Sequence, residues 1–514
     1  PLRPGLPDLL AAWCAAEVVF YRWLRRRSER LEGAYAPSRH KALRRLREAA
    51  VGLLALLLGL SLAGGPGPGA WVVGCSSLLG VEVLFYRWVR RRFRRFSPPP
   101  APPALEPAAR AELWLRCLDA MVPEPGVRHW IEGWFFGRPF AEIRREDVEA
   151  WLAWALFSKA SAGELAAAEA AELAGYVAGL EAEVARELGE ASFRMPHAAP
   201  PLAAPLPCMR MSVEPIRYRH FPLCLYFLTQ GLLGLITDRT LRGLGFRPFQ
   251  AGGLWRYWLW EGPGDQRGPA PAASRADQAE GRAPTFFVHG VGVGLLPYLG
   301  LVRLLMERGE PVFLLEVPFI SVKIDTEVPA AADTARAAGA ILQLHGFHSA
   351  DFVGHSFGTV VLSWIWRYNP GCVAGLALLD PVVLLMHSHH VLYNFLYRKP
   401  RSFNLADHIS SEFFLSHGLR RHLFWYESIL WPQELAEANV PFLSVSAAED
   451  EILPGRAVHG YVRRLARSAA AGGAPFETVL LPGRRHGDVL ADAAAAGALR
   501  RFLARPGGAS PPAA

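Results

Sequence analysis

The 514-residue sequence predicts an α/β fold in its second half, set behind a helical middle region and an N-terminal membrane anchor. Three observations carry that prediction. Short apolar strands end abruptly in small-residue or charged loops at "TFFVHGVGVG" (285–294), "VPFLSVSAAEDEILP" (440–454) and "TVLLPGRRHGDVL" (478–490). A further strand at 351–353 runs through "GHSFG" straight into an apolar helical run from Gly358 to Trp366. Three apolar stretches with basic flanks occupy the first 90 residues.

A chain of this length is expected to form two or more regions. Its formal net charge of +8 is unevenly distributed: residues 1–96 hold 17 of the 55 Lys and Arg but 6 of the 47 Asp and Glu, a net of +11, leaving −3 for the remainder. A basic excess confined to one end argues against nucleic acid as a partner. The six cysteines, Cys14, Cys75, Cys117, Cys208, Cys224 and Cys372, are far apart and form neither a disulfide framework nor a metal motif.

The anchor is placed at 1–96, with spans expected at 9–24, 49–64 and 70–89. Basic clusters follow the first and third stretches, whereas the turn "GGPGPG" between the second and third is uncharged. The positive-inside rule then puts both clusters, and everything after Phe96, on the cytoplasmic side of a multi-pass membrane protein. "EVVFYRWLRRR" (17–27) returns as "EVLFYRWVRRR" (82–92), with Tyr, Trp and Arg at the end of each copy as a headgroup interface favours. Glu17 and Glu82 are expected to pair with Arg22 and Arg87, because an isolated carboxylate in the apolar zone is costly.

A Pro/Ala linker follows at 97–110, then a helical region at 111–246 with no chemical cluster, read as a packing or partner surface. Within it, "HFPLCLYFLTQGLLGLI" (220–236) admits three roles: a segment against the bilayer, a wall of an acyl channel, or a core helix. The α/β domain is placed at 247–505, with a strand at 254–260, a disordered loop at 261–283, a helical cap near 384–432 and a disordered tail at 506–514.

The chemistry centres on Ser356. A serine between Gly354 and Gly358 on a strand-to-helix turn has its hydroxyl lifted clear of the sheet. Acyl transfer also needs oxyanion donors, expected from the N–H of Phe357 and of Val291, with His289, Gly290, Gly292 and His355 lining the site. His289 is expected to be a hydrogen-bonded structural histidine. The glycines fit neither a dinucleotide fingerprint nor a P-loop. An acid and a histidine should follow in the order Ser, acid, His, and Asp450 and His486 do so. Asp380, after the strand in "LALLDPVVLL", is the alternative acid, with Glu449 and Glu451 as lesser candidates.

Taken together, "HGVGVG", "GHSFG", "EDEILP" and "RRHGDVL" resemble the functional elements of the α/β hydrolases over residues 285–505. "EVLFYRW", "REDVEAWLAWALF", "FVHGVGVGLLPYL", "GHSFGTVVLSWIW" and "YNFLYRKP" further resemble a group of membrane-anchored, largely uncharacterised eukaryotic α/β hydrolases. The resemblance implies a mostly parallel sheet with helices on both faces and a Ser356–His486–Asp450 triad. It implies no metal or organic cofactor. A serine nucleophile argues against the epoxide-hydrolase and dehalogenase branches, which use Asp.

The expected activity is that of a serine hydrolase cleaving an ester, of a lipid or another apolar acyl group, with membrane lipids as neighbours. Acyl transfer by the same triad is the alternative enzyme, and a non-catalytic membrane scaffold is the alternative from another class. In the cap, Tyr393, Phe395, Tyr397, Phe413, Phe414, Phe424, Trp425 and Tyr426 suit either an apolar lid or the cap's own core. Arg420, Arg421 and His422 suit a solvated basic face or a phosphate headgroup. His387, His389 and His390 raise a metal site, which the lack of Asp, Glu or Cys nearby in sequence disfavours.

Overall fold

The computed structural model of the chain describes residues 80–505 except 94–97, 99, 122–125, 198–204, 252–254, 264–282, 325–326, 399–407 and 470–474. The expected spans at 9–24 and 49–64, most of the third, most of the 261–283 loop and the 506–514 tail lie outside the described residues. Residues 80–93 are helical, with Glu82 buried and Arg87 exposed; Glu17 and Arg22 are not described. Among the described residues, no helix is long and apolar enough to cross a membrane.

The chain divides into two units, Pro1–Arg91 and Arg92–Ala514. The second is built on eight strands: β1 Arg247–Ala251, β2 Trp255–Trp260, β3 Thr285–Val288, β4 Val312–Leu315, β5 Ala350–His355, β6 Val373–Leu379, β7 Phe442–Ala447 and β8 Phe476–Leu481. They form one sheet in the order β1-β2-β4-β3-β5-β6-β7-β8. β1 and β2 pair antiparallel at one edge, and all neighbours from β4 to β8 are parallel. This order, with its antiparallel second strand and its crossover between β3 and β4, is the α/β-hydrolase fold.

The strands read as continuous apolar runs because both faces are covered. Phe286, Val288, Phe313, Phe352, Leu376 and Leu378 point into a core shared with the helices Ala331–Leu344 and Phe357–Tyr368. Their neighbours Phe287, Leu314, Val353, Ala377 and Leu379 point into a second core, with Leu299–Met306 and Ala493–Ala504. The alternation is the period-2 geometry of a strand.

The helical region does not stand apart. Its helices Pro107–Met121, Val127–Trp134, Arg145–Phe157 and Ala167–Leu188 share the first core with the insertion between β6 and β7. The indole N–H of Trp130 donates to the His387 carbonyl at 2.8 Å, and that of Trp425 to the Ala155 carbonyl at 2.9 Å. The Pro/Ala linker is tied in as well, since the Tyr426 hydroxyl donates to the Pro103 carbonyl at 3.0 Å and the helix already begins at Pro107.

Arg421 joins the two segments most directly. Its guanidinium donates to the carbonyls of Met211, Ser212, Arg420 and Glu214 at 2.8–3.3 Å. Arg420 lies over the Tyr397 ring at 5.2 Å and donates to the Leu396 carbonyl. Both side chains are buried, so neither a solvated basic face nor a headgroup site describes them. Burial pushes the Arg421 pKa down to about 10, and the four carbonyls stand in for the water it gave up.

Trp425→Ala removes a large buried side chain from the seam between the insertion and the helical region. It is expected to destabilise the full-length protein in detergent by about 3–5 kcal/mol. Denaturant unfolding followed by tryptophan fluorescence checks this. A single transition shifted as a whole is expected, because the two segments share one core.

Candidate active site

Ser356 follows β5 directly and precedes the helix Phe357–Tyr368. Its backbone sits at φ 51° and ψ −121°, a conformation that costs a non-glycine residue energy and persists only where packing over-determines it. The packing is close. A Cβ on Gly358 would stand 2.2 Å from the Val288 carbonyl oxygen, so only glycine lets the helix start this near β3. Ser356 N–H donates to the Leu379 carbonyl at 2.9 Å, which ties the turn to β6. The Thr359 hydroxyl donates back to the Ser356 carbonyl at 2.6 Å.

The parallel sheet brings three strand-end loops to the same edge. His486, after β8, places Nε2 2.9 Å from Ser356 Oγ and Nδ1 2.6 Å from Asp450 Oδ2. Asp450, after β7, is held by its other oxygen, which accepts the N–H groups of Ile452 at 2.7 Å and Leu453 at 3.1 Å. Its side chain is fully enclosed. Serine, imidazole and carboxylate therefore form one continuous hydrogen-bonded relay.

Asp380 lies beside this relay without joining it. It too has a positive φ, 45°, and it is fully buried. Its oxygens accept the N–H of Ala447 at 3.0 Å and of Gly487 at 2.8 Å. Asp380 thus braces the backbone next to His486, and Asp450 holds the ring. Burial opposes its charge, but His355, His486 and the Gly487 N–H keep its pKa below the ordinary carboxylate value. Of the lesser acids, Glu451 accepts the His486 backbone N–H at 3.2 Å, and Glu449 forms a surface ion pair with Arg456.

His289, Gly290, Val291 and Gly292 form the loop after β3. His289 is fully buried; its Nε2 accepts the Val317 N–H at 3.0 Å, so its Nδ1 carries the proton and donates to the Gly290 carbonyl at 2.8 Å. Burial pushes its pKa down to about 4. That neutral, doubly bonded ring shapes the loop. A Cβ on Gly290 would meet the Ser356 Cβ at 2.9 Å, so the loop lies directly on the nucleophile. Gly292 is fixed to the 320–322 segment through Ile320 O at 3.1 Å and Val322 N at 2.8 Å. Among the described residues, the N–H groups of Phe357 and Val291 have no hydrogen-bond acceptor, which leaves both open to an incoming oxygen.

Tyr298 was not singled out by sequence reasoning. Its hydroxyl accepts the Gly290 N–H at 2.9 Å and donates to His355 Nδ1 at 2.9 Å. The His355 Nε2–H then faces Asp380 at 3.7 Å. His355 is thus a link between the oxyanion loop and the bracing carboxylate, and burial lowers its pKa. No sequence signal marks Tyr298, eight residues beyond Gly290 in an apolar run.

The three cap histidines do not form a metal centre among the described residues. His387 stacks on Trp431 at 5.4 Å, while His389 and His390 stack on each other at 4.0 Å. Among the described residues, the one group spaced for an ion is Asp380, Asp450 and His486, and the hydrogen bonds just described account for it. Phe413, Phe414, Phe424, Trp425 and Tyr426 are buried, several of them against the helical region, and Tyr393 is exposed.

No family model and no curated protein matches the sequence. Solved structures similar to it include a membrane phospholipase A described as a novel bacterial virulence factor, at 17% identity, TM-score 0.37, over 54% of this chain and 92% of that one. The carboxylesterase CesB of Bacillus subtilis matches at 12% identity and TM-score 0.35, over 53% of this chain and 96% of that one. Epoxide Hydrolase A of Mycobacterium thermoresistibile matches at 18% and 0.32, over 50% and 97%. At such values these likenesses assign no activity.

Burial disfavours a charged His486, but the hydrogen bond and charge of Asp450, with Asp380 and Glu451 behind it, outweigh burial and raise its pKa above the ordinary 6.5. Only the neutral ring can take a proton from Ser356. Reactivity of Ser356 toward a fluorophosphonate should therefore be low in acid and rise through a pKa above 6.5. Asp450→Asn should move that limb to lower pH and cut the rate about 10³–10⁴-fold. Asp380→Asn should cut it less and move the limb less, since Asp380 acts on the backbone and at a distance. Rate–pH profiles of the three proteins distinguish the two acids.

Proposed function

We propose that this protein is a membrane-anchored serine hydrolase that cleaves an ester of a lipid or another apolar acyl group. The observation that carries the reading is the continuous relay from Ser356 Oγ through His486 to Asp450. In this mechanism His486 Nε2 takes the Ser356 proton as Oγ attacks the ester carbonyl. The tetrahedral oxyanion is met by the N–H groups of Phe357 and Val291. His486 then returns the proton to the departing alcohol, leaving an acyl-serine. Water then attacks the acyl carbonyl as the same imidazole takes its proton, and the imidazolium gives that proton to Ser356 Oγ as the acid leaves.

Asp450 keeps the Nδ1–H tautomer and stabilises the imidazolium of each step. The apolar preference is supported by Phe319 and Phe357, which meet edge to face at 6.0 Å next to the nucleophile. Anchoring through the first 96 residues, with the catalytic unit on the cytoplasmic side, is supported by the basic clusters after the first and third apolar stretches.

Labelling with a fluorophosphonate probe in detergent tests the central claim. The wild-type protein should be labelled, and Ser356→Ala and His486→Ala should lose labelling while remaining folded by circular dichroism. An unlabelled but folded wild-type protein would sink the hydrolase reading.

A further inference from the structure

Between Leu223 and Gly243 the chain forms a continuous helical rod: α-helix at Leu223–Tyr226, π-helix at Phe227–Leu232 and α-helix again at Leu233–Gly243. A helix on the surface of a water-soluble body turns its apolar stripe inward. This one leaves a large apolar stripe facing outward. Its inward face carries the buried Tyr226, Thr229, Thr237 and Leu241. Both threonine hydroxyls are satisfied by backbone, Thr237 by the Leu233 carbonyl at 2.7 Å and Thr229 by the Val322 carbonyl at 2.6 Å.

The outward face carries Phe227, Leu228, Leu232, Leu235 and Ile236, exposed by 73, 42, 48, 48 and 41%. Phe227, Gly231 and Leu235 form one row stepping by four, and Leu228, Leu232 and Ile236 form the adjoining row, so these side chains share one continuous stripe. Scattered exposed apolar residues are normal, but a contiguous patch marks a contact surface. Arg217 and Arg219 are exposed just before this helix, and Arg239 and Arg242 are exposed at its far end. The sole carboxylate between them, Asp238, is paired with Arg256 at 2.7 Å. An apolar stripe with cationic ends is complementary to a sheet of acyl chains under anionic headgroups.

We propose that this helix lies in the plane of an anionic phospholipid surface, with Phe227, Leu228, Leu232, Leu235 and Ile236 among the acyl chains and the four arginines at headgroup level. The contact is coupled to the candidate active site. Thr229 bonds Val322, whose N–H donates to the Gly292 carbonyl of the oxyanion loop at 2.8 Å. The helix therefore seats that loop next to the bilayer. On the hydrolase reading above, a lipid ester would reach Ser356 from the surface itself; the membrane contact does not depend on that reading.

The test uses the full-length protein in phosphatidylcholine–phosphatidylserine vesicles, with the photoreactive residue p-benzoylphenylalanine in place of Leu232. Irradiation and mass spectrometry of the peptide carrying position 232 should find a phospholipid adduct. Replacing Leu228 and Leu235 by Asp in the same protein should reduce the adduct at least tenfold, and both exposed sites tolerate the change without unfolding. A crosslink to a peptide from residues 1–79 would overturn the proposal, since another part of the chain would then cover the stripe. A crosslink to a second copy, no adduct, or failure to float with the vesicles would overturn it too. Fluorophosphonate labelling of the same vesicles reports on Ser356 separately, so failure of the membrane contact and failure of the hydrolase reading are read on different signals.

Discussion

The arrangement at the candidate active site depends on one crowded turn. Ser356 must leave β5 with a positive φ and enter a helix whose second residue, Gly358, lies against the carbonyl of Val288. A strained backbone of this kind survives only if its neighbours allow no other. Here β3 blocks one side, β6 holds the Ser356 N–H, and Thr359 holds the carbonyl. The parallel sheet then supplies the partners. Strands running in one direction end at one edge, so loops from β3, β7 and β8 converge on a hydroxyl from which they are distant in sequence.

Two buried carboxylates share that edge and divide the work. Asp450 touches the imidazole, and Asp380 touches the backbone after it. Neither is left bare, because a buried carboxylate without donors would shed its charge by taking up a proton. Each accepts two backbone N–H groups, and of these four one comes from the end of β7 and three from the loops that must stay in place. The chain from Gly290 through Tyr298 to His355 extends the same bracing to the oxyanion loop. Electrostatic satisfaction and loop geometry are thus one constraint.

The body around the sheet follows a similar economy. Tryptophans of the helical region and aromatics of the insertion bury one another, and Arg421 bonds three carbonyls across the seam. Most aromatics that looked suited to a lid are therefore core residues. The helical rod at Leu223–Gly243 differs because five large apolar side chains point outward while Thr229 and Thr237 are buried beside Tyr226 and Leu241. That exposed stripe beside a well-covered core is the feature on which the proposed lipid contact rests.

Local pattern was enough to place six of the eight strands, the turn at Ser356, and the order of serine, acid and histidine, because strand periodicity and small residues at a sharp turn are local properties; Arg247–Ala251 and Val312–Leu315 were not singled out. It was also enough to nominate both Asp450 and Asp380, since each ends an apolar strand. Choosing between them required the fold: what separates them is whether a carboxylate faces the Nδ1 of His486 or the N–H of Gly487, a matter of ångströms between distant segments. The role of Tyr298 was equally invisible, as a tyrosine in an apolar run carries no mark of its partners. Sequence likewise left three roles open for residues 220–236, because composition records how apolar a helix is and not which way it faces. Packing alone decides direction, since a helix turns its polar side toward whatever can satisfy it.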